Sequence, residues 1–380
     1  ELRDVVAEAL ARRTPLRVLG RGSWADAGRP VGADRTLSVA ALDGIVDYVP
    51  GDLTLTARAG TSLATLQRAV RAEGQWLPLE PWGGDDGSLG ATLATATAGP
   101  TAAALGLPRD LVLGLQAVTG TGDVVRGGGR VVKNVAGFDL VRLLTGAWGT
   151  LGVLTEATVR LRALPEVDET LALPAPPLQQ LGIWLARLRE LPLVPLAAEL
   201  LNDAMAAALA LGDTPQLVVR LGGNADAVAA QRAALGELGD LTVLDGDLWA
   251  RLRRADHAAG MVLRLSAPPA VVARLWLDVQ RLHDALDGAV RAHASVARGV
   301  VRVVLDGAPG LADARLVDLL GARPRDGVVR IFERLPAPLW PVLAPSAVDD
   351  RLSRRVRDAF DPHRLLNPGI LGEAALESVA

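Results

Sequence analysis

GGGRVVKNVAGFDLVRLLTGAWGTLGVLTE, residues 127–156, is the densest glycine-rich and non-periodic stretch of a 380-residue chain. It holds Lys133, the only lysine among 40 basic residues, the rest being arginine. An ammonium is compact and flexible and a guanidinium planar and forked, so a lone lysine points to a position that arginine does not fill. Drift in composition that left one lysine by chance is the alternative. Outward from this stretch, four glycine- or small-residue-rich loops, at 20–24, 83–92, 127–137 and 146–152, flank strands within the first 152 residues. Consecutive backbone N–H groups at such turns make anion-binding concavities suited to a pyrophosphate. None of them is a Rossmann fingerprint: GRGSWADAG, from Gly20, breaks GxGxxG at its last glycine, and nothing resembles GxxxxGK[ST]. A nicotinamide dehydrogenase or P-loop NTPase is disfavoured.

Around these loops the pattern mixes α and β. Residues 1–13 read as an amphipathic helix. LRVL at 16–19, Leu37 to Val39, Ile45 to Val49 and Leu53 to Ala59 read as strands, the last alternating Leu53, Leu55 and Ala57 with Thr54, Thr56 and Arg58. Thr61 or Ser62 caps a helix that places Leu63, Leu66 and Val70 on one face. Residues 80–100, EPWGGDDGSLGATLATATAGP, are nearly devoid of large side chains after Trp82. Such a run lets the backbone approach a large flat ligand, or forms a small-residue helix against a neighbour. After Pro165 the texture becomes proline-punctuated, with helices expected over 197–211, 225–238 and 269–286. Strands are expected at Leu217 to Leu221, Leu241 to Leu244, Met261 to Leu265 and Val300 to Leu305. This order suggests an antiparallel sheet covered by helices on one face; Trp249, Trp276 and Trp340 read as core, with contact to a partner subunit as the alternative.

Composition narrows the function classes. The length predicts about two domains. Half the residues are apolar, 22% are charged and the formal net charge is −3, with no basic tract to favour nucleic acid or an anionic membrane. No cysteine is present, which removes disulfides, thiolate nucleophiles and thiolate-held iron–sulfur clusters. The four histidines, His257, His283, His293 and His363, include no i, i+4 pair, so a histidine-rich metal site is not expected. Mean hydropathy is +0.26, but apolar runs are broken by charged residues well short of a bilayer span. The N-terminal stretch lacks the apolar core of a signal peptide. A cytoplasmic protein, alone or docked at the inner face of the membrane through a complex, is the expectation.

NVAGFDLVRLLTGAWGTLGVLTEATVRL (134–161) resembles the GYDL…G…GTLG signature of the FAD-linked oxidases with a vanillyl-alcohol-oxidase or PCMH-type flavin domain, and FDPHRLLNPGIL (360–371) resembles their C-terminal DP…NPG closure. IVDYVPGDLTLTARAGTSL, the KNVAGFDL form of the loop and RLPAPLWPVL narrow the likeness to the FAD-binding subunits of bacterial glycolate oxidases. The resemblance implies an α+β fold: a two-lobed FAD-binding domain at 1–163, an antiparallel α+β cap over the flavin ring and substrate at 164–335, and a return segment at 336–380. It implies FAD, held by Gly20, Arg21, Gly22, Ser23 and Trp24 at the pyrophosphate, and by Gly87, Ser88, Leu89, Gly90, Ala91 and Thr92 in a second loop, with Thr97 beyond. Lys133 and Asn134 of the KNVAGFDL loop, Gly149, Thr150, Gly152 and Val153 at GTLG, and Asn367 of NPG complete that set.

Two departures bear on catalysis. Phe138 stands where the family usually has tyrosine, and AHASVARGVV keeps only His293 of an HAGDGNxH-like metal-binding segment. No metal is therefore expected. Oxidising a 2-hydroxy acid needs a cation for the carboxylate, a base for the hydroxyl proton and a hydride acceptor. Arg264 is a candidate for the first role, with a surface ion pair as its alternative. His293 is a candidate base, or a structural histidine. The implied function is oxidation of glycolate or a similar short 2-hydroxy acid to the 2-oxo acid, with electrons passed to an iron–sulfur subunit; a catalytic flavoprotein subunit of the same fold is the other implied partner. An electron-relay or regulatory subunit beside a catalytic paralogue, and a scaffold with an empty cleft, are the alternatives.

Overall fold

The computed structural model describes residues 2–129, 138–256, 259–306, 314–321, 324, 326–344 and 350–372. The fold is α+β, and the chain divides into two compact units. The first comprises 1–98, 106–164 and 344–380; the second comprises 99–105 and 165–343. That the short segment 99–105 joins the second unit has no signal in its small-residue sequence.

In the first unit, β1 (Leu16–Leu19) pairs in parallel with β2 (Arg35–Ser38). A five-stranded antiparallel sheet runs in the order β3 (Ile45–Val49), β4 (Thr54–Arg58), β8 (Val153–Arg160), β6 (Val112–Val118) and β7 (Val124–Gly128). A third, two-stranded sheet joins β5 (Gln75–Trp76) to β9 (Arg162–Ala163). Of the two caps the sequence allows, the structure uses Ser62: its Oγ accepts from the Thr65 N–H at 3.2 Å and starts the helix Leu63–Arg71. Leu63, Leu66 and Val70 on that helix are fully buried in one core with Leu55, Leu89, Leu93 and Val159. Burial of this kind contributes at most roughly 1.5–3 kcal/mol per side chain. Residues 80–100 contain a real helix, Leu89–Thr95, capped by Ser88 and ended by Ala96 in the left-handed region at φ +51°.

The second unit holds an eight-stranded sheet with neighbouring strands antiparallel. Its order is β13 (Thr242–Leu244), β10 (Val167–Pro174), β12 (Gln216–Gly223), β11 (Ala197–Leu201), β15 (Val290–Ser295), β16 (Val300–Asp306), β14 (Ala259–Ser266) and β17 (Val329–Arg334). The helix expected over 197–211 is instead a strand followed by a short helix, Asp203–Ala208. Ala197–Leu201 is buried at every position, so the run carries no alternation to mark it as a strand. Asn202 then caps the turn into the helix, its Oδ1 accepting from the Met205 N–H at 3.0 Å. Helix Val272–Ala285 packs on β15 and β16. Trp249, Trp276 and Trp340 are buried. Among the described residues no helix is long and apolar enough to cross a membrane.

Candidate functional site

A cleft of about 740 Å³, including open solvent at its mouth, lies within the first unit. The loop leaving β1 supplies Gly20, Gly22 and Trp24; the helix Leu89–Thr95 supplies Gly90 and Ala91. The turn into β8 supplies Gly149, Gly152 and Val153, and the C-terminal segment supplies Asn367. The sequence motifs at 20–24, 87–92, 149–153 and 367, up to 347 residues apart, thus contribute to one cavity wall.

The two glycine-rich loops act differently. The backbone N–H groups of Gly20, Arg21, Gly22 and Ser23 donate to no atom of the described residues, and Gly22 has a φ of +88°. Four consecutive free donors beside a cavity form a nest for a diphosphate. Along 87–92 the donors are spent internally: the Gly87 N–H on the Gly84 carbonyl, Leu89 on Thr61, Gly90 on Ala59, Ala91 on Ser88 Oγ and Thr92 on the Ser88 carbonyl. This second loop therefore offers a flat surface more than hydrogen bonds. Its tightness explains the glycines: a Cβ on Gly20 would stand 2.2 Å from Ser88 Oγ, and one on Gly90 would stand 2.7 Å from the Ala59 Cβ. Leu89 belongs to the core, and Thr92 and Thr150 bond backbone carbonyls with their hydroxyls. Thr97 Oγ1 is buried with no hydrogen-bond partner, the usual sign of a missing ligand or water.

The far wall is closed from the C-terminus. The Leu16 N–H donates to the Leu365 carbonyl at 2.6 Å, and the Asn367 N–H to the Leu16 carbonyl at 2.9 Å. Asn367, at φ +46°, then uses its whole amide: Oδ1 accepts from the Val18 N–H and Nδ2 donates to the Trp148 carbonyl, each at 2.7 Å. Asparagine tolerates the left-handed region better than most residues. Trp148, itself at φ +54°, meets Trp24 edge-on with ring centroids 6.3 Å apart. Asn367 therefore lines the cleft while tying its two sides together. Trp148 and Arg17 also line it without having been singled out from sequence. The tryptophan sits inside the GTLG motif region, which could have marked it; nothing local marks Arg17.

Lys133 and Asn134 lie outside the described residues, so no placement is given to them. Phe138 is 93% exposed. Arg264 and His293 belong to the second unit. Arg264 Nε stands 3.0 Å from Glu333 Oε1, and His293 Nδ1 stands 2.8 Å from Glu199 Oε2, both members of the histidine pair being buried. No partner for His293 is legible from the chain alone; Glu199 lies 94 residues away and reaches it because β11 and β15 pair. Among the described residues no three His, Asp or Glu side chains gather as metal ligands.

Comparison with known proteins agrees with this geometry. Residues 1–128 match the model of the FAD binding domain family. The chain is 44% identical over 173 residues to the glycolate oxidase subunit GlcE of Escherichia coli K12, covering 45% of this chain and 49% of that protein. It is 32% identical over 172 residues to the glycolate oxidase subunit GlcD of Bacillus subtilis 168, covering 45% and 37%. The matches thus span half or less of each relative's length. The fold is that of p-cresol methylhydroxylase, with a TM-score of 0.76 over 97% of this chain and 86% of that one at 16% identity. Residues 1–128 thus carry an FAD binding domain, and FAD is its cofactor.

Proposed function

We propose that this chain is the FAD-binding subunit of a glycolate oxidase or dehydrogenase complex, oxidising glycolate or a similar short 2-hydroxy acid to the 2-oxo acid. The observation that carries the cofactor half of this reading is the run of four unspent N–H groups at Gly20–Ser23, of which Gly20 and Gly22 line the cleft. The likeness to two glycolate oxidase subunits supports the substrate class. FAD, when bound, supplies the hydride acceptor. Gly20, Arg21, Gly22 and Ser23 would hold its diphosphate, Gly90, Ala91, Gly149 and Gly152 would flank it, and Asn367 would keep the two walls in register. Lys133, with Asn134, would meet an FAD phosphate or the reduced ring. The second unit would take the substrate. Electrons would leave through an iron–sulfur subunit; with no cysteine, this sequence does not itself ligate such a cluster through thiolates. A second flavoprotein subunit of the same fold is the further partner.

An electron-relay role beside a catalytic paralogue is the second reading, favoured by Phe138 in place of the family's tyrosine. The visible spectrum of the purified chain separates the two. Flavin absorbance that bleaches on anaerobic addition of glycolate is the expected result; absorbance that persists supports the relay. A colourless chain that takes up no added FAD overturns both.

A further inference from the structure

One face of the second unit's sheet is apolar and the other is charged. Leu200, Ala292, Ala294, Val301 and Val303 are buried on the first. On the second, the register pairs Glu199 with Ser295, His293 with Arg302, and Arg302 with Arg264, which puts all five side chains on the same face. A buried charged face is expensive unless every member is engaged, so its accounting is informative. Glu199 is engaged by His293, Glu333 by Arg264 and Arg302, and Asp256 by Arg302. Burial lowers the Arg302 guanidinium, but Glu333 and Asp256 outweigh it and hold it above its ordinary value.

Several polar groups of this face are left over, Asp256 Oδ1 and the Nε atoms of Arg264 and Arg302 among them, and three others gather at the end of β15. Arg298 lies half-buried in the turn between β15 and β16; its N–H donates to the Ser295 carbonyl at 3.2 Å, and its guanidinium makes no hydrogen bond or ion pair with the described residues. Burial lowers its guanidinium; Glu199 opposes this, Arg264 and Arg302 add to it, and Glu333 opposes it. Ser295 Oγ and Glu199 Oε1 are buried with no hydrogen-bond partner, in residues that are 5% and 0% exposed. One unpaired cation, one free hydroxyl and one free carboxylate oxygen match the three polar edges of a small hydroxylated anion. Resting on the proposed function, we infer that this face of the second unit binds a short 2-hydroxy monocarboxylate. Arg298 and Ser295 take its carboxylate, and Glu199 Oε1 accepts from its 2-hydroxyl. His293 is a positioning residue: its bond to Oε2 fixes the rotamer that leaves Oε1 open. One unpaired guanidinium selects a mono- over a dicarboxylate, since a second carboxylate would meet Glu199 or Glu333.

The test uses the full flavin-loaded chain under anaerobic conditions. It measures thermal stabilisation by glycolate, acetate and malonate, and separately the glycolate concentration that half-bleaches the flavin. Glycolate is expected to act at concentrations about ten-fold or more below acetate, and malonate to act weakest. Arg298→Ala should weaken the response to glycolate and acetate alike by about ten-fold or more, as lost charged hydrogen bonds do. Arg298→Lys, which keeps the charge and guards against a folding defect, should recover part of it. Glu199→Gln should reduce the preference for glycolate over acetate while acetate still acts. Unchanged responses in Arg298→Ala overturn the site, and if glycolate still bleaches its flavin the proposed function survives alone. Stabilisation by glycolate that depends on Arg298, without bleaching, keeps the site and overturns the catalytic reading.

Discussion

The cleft of the first unit and the charged sheet face of the second recognise anions by opposite means. The cleft is walled by backbone and small residues: free N–H groups at 20–23, glycines where a Cβ would collide, and an asparagine spent entirely on carbonyl and amide. The sheet face uses side chains: three arginines, three carboxylates and a histidine, each carboxylate held by another residue. A backbone site fails by steric intrusion and is insensitive to charge. A side-chain site fails when one partner of a buried pair is removed, because the other charge remains.

Three substitutions sharpen that contrast. Arg302→Ala has the largest expected effect. It leaves Asp256 without its guanidinium partner and Glu333 with Arg264 alone in a buried setting, where loss of one partner costs roughly 3–5 kcal/mol. Urea unfolding should show this loss at neutral pH, and a change under about 1 kcal/mol would mean that the face is effectively hydrated. Gly20→Ala comes next. Its Cβ must displace Ser88 Oγ, which caps the helix Leu89–Thr95 through the Ala91 N–H, and a lost cap costs about 1 kcal/mol. The purified variant should carry less flavin than the parent, whereas a surface Arg→Ala substitution should carry as much; equal flavin content in Gly20→Ala would break the steric account.

The smallest effect is in acid. Asp350 caps the helix Arg351–Phe360, and bonds from Ser353 and Leu352 hold its carboxyl below the ordinary 3.8. A carboxyl lowered by folding contributes stability that is present above that ordinary value and is lost as pH falls through the lowered one. Amide exchange in this helix's first turn should therefore rise only below about pH 3.8. In Asp350→Asn that step should be absent.

Much of the first unit was legible in the chain. β1 at 16–19, the Ser62-capped helix and β3 at 45–49 fall where apolar alternation and turn residues put them, because each pattern is local. The 197–211 region was misread, since a strand buried on both faces and a helix interior share one composition. The glycine loops announced a backbone-lined ligand. Their spent and unspent donors could not be told apart, because Gly90 and Gly20 differ only in which distant carbonyl lies opposite.

The sequence alone determined that this is an α+β chain without thiolate chemistry, carrying glycine loops suited to a flavin cofactor, since composition and short-range spacing are properties of the chain itself. Tertiary structure alone decided that Asn367 joins Val18 to Trp148, and that His293 finds Glu199. It also decided that Arg298 is left without an ion pair among the described residues. The first two join segments tens to hundreds of residues apart, and for His293 a shift of one residue in the β11–β15 register would turn the side chain to the opposite face.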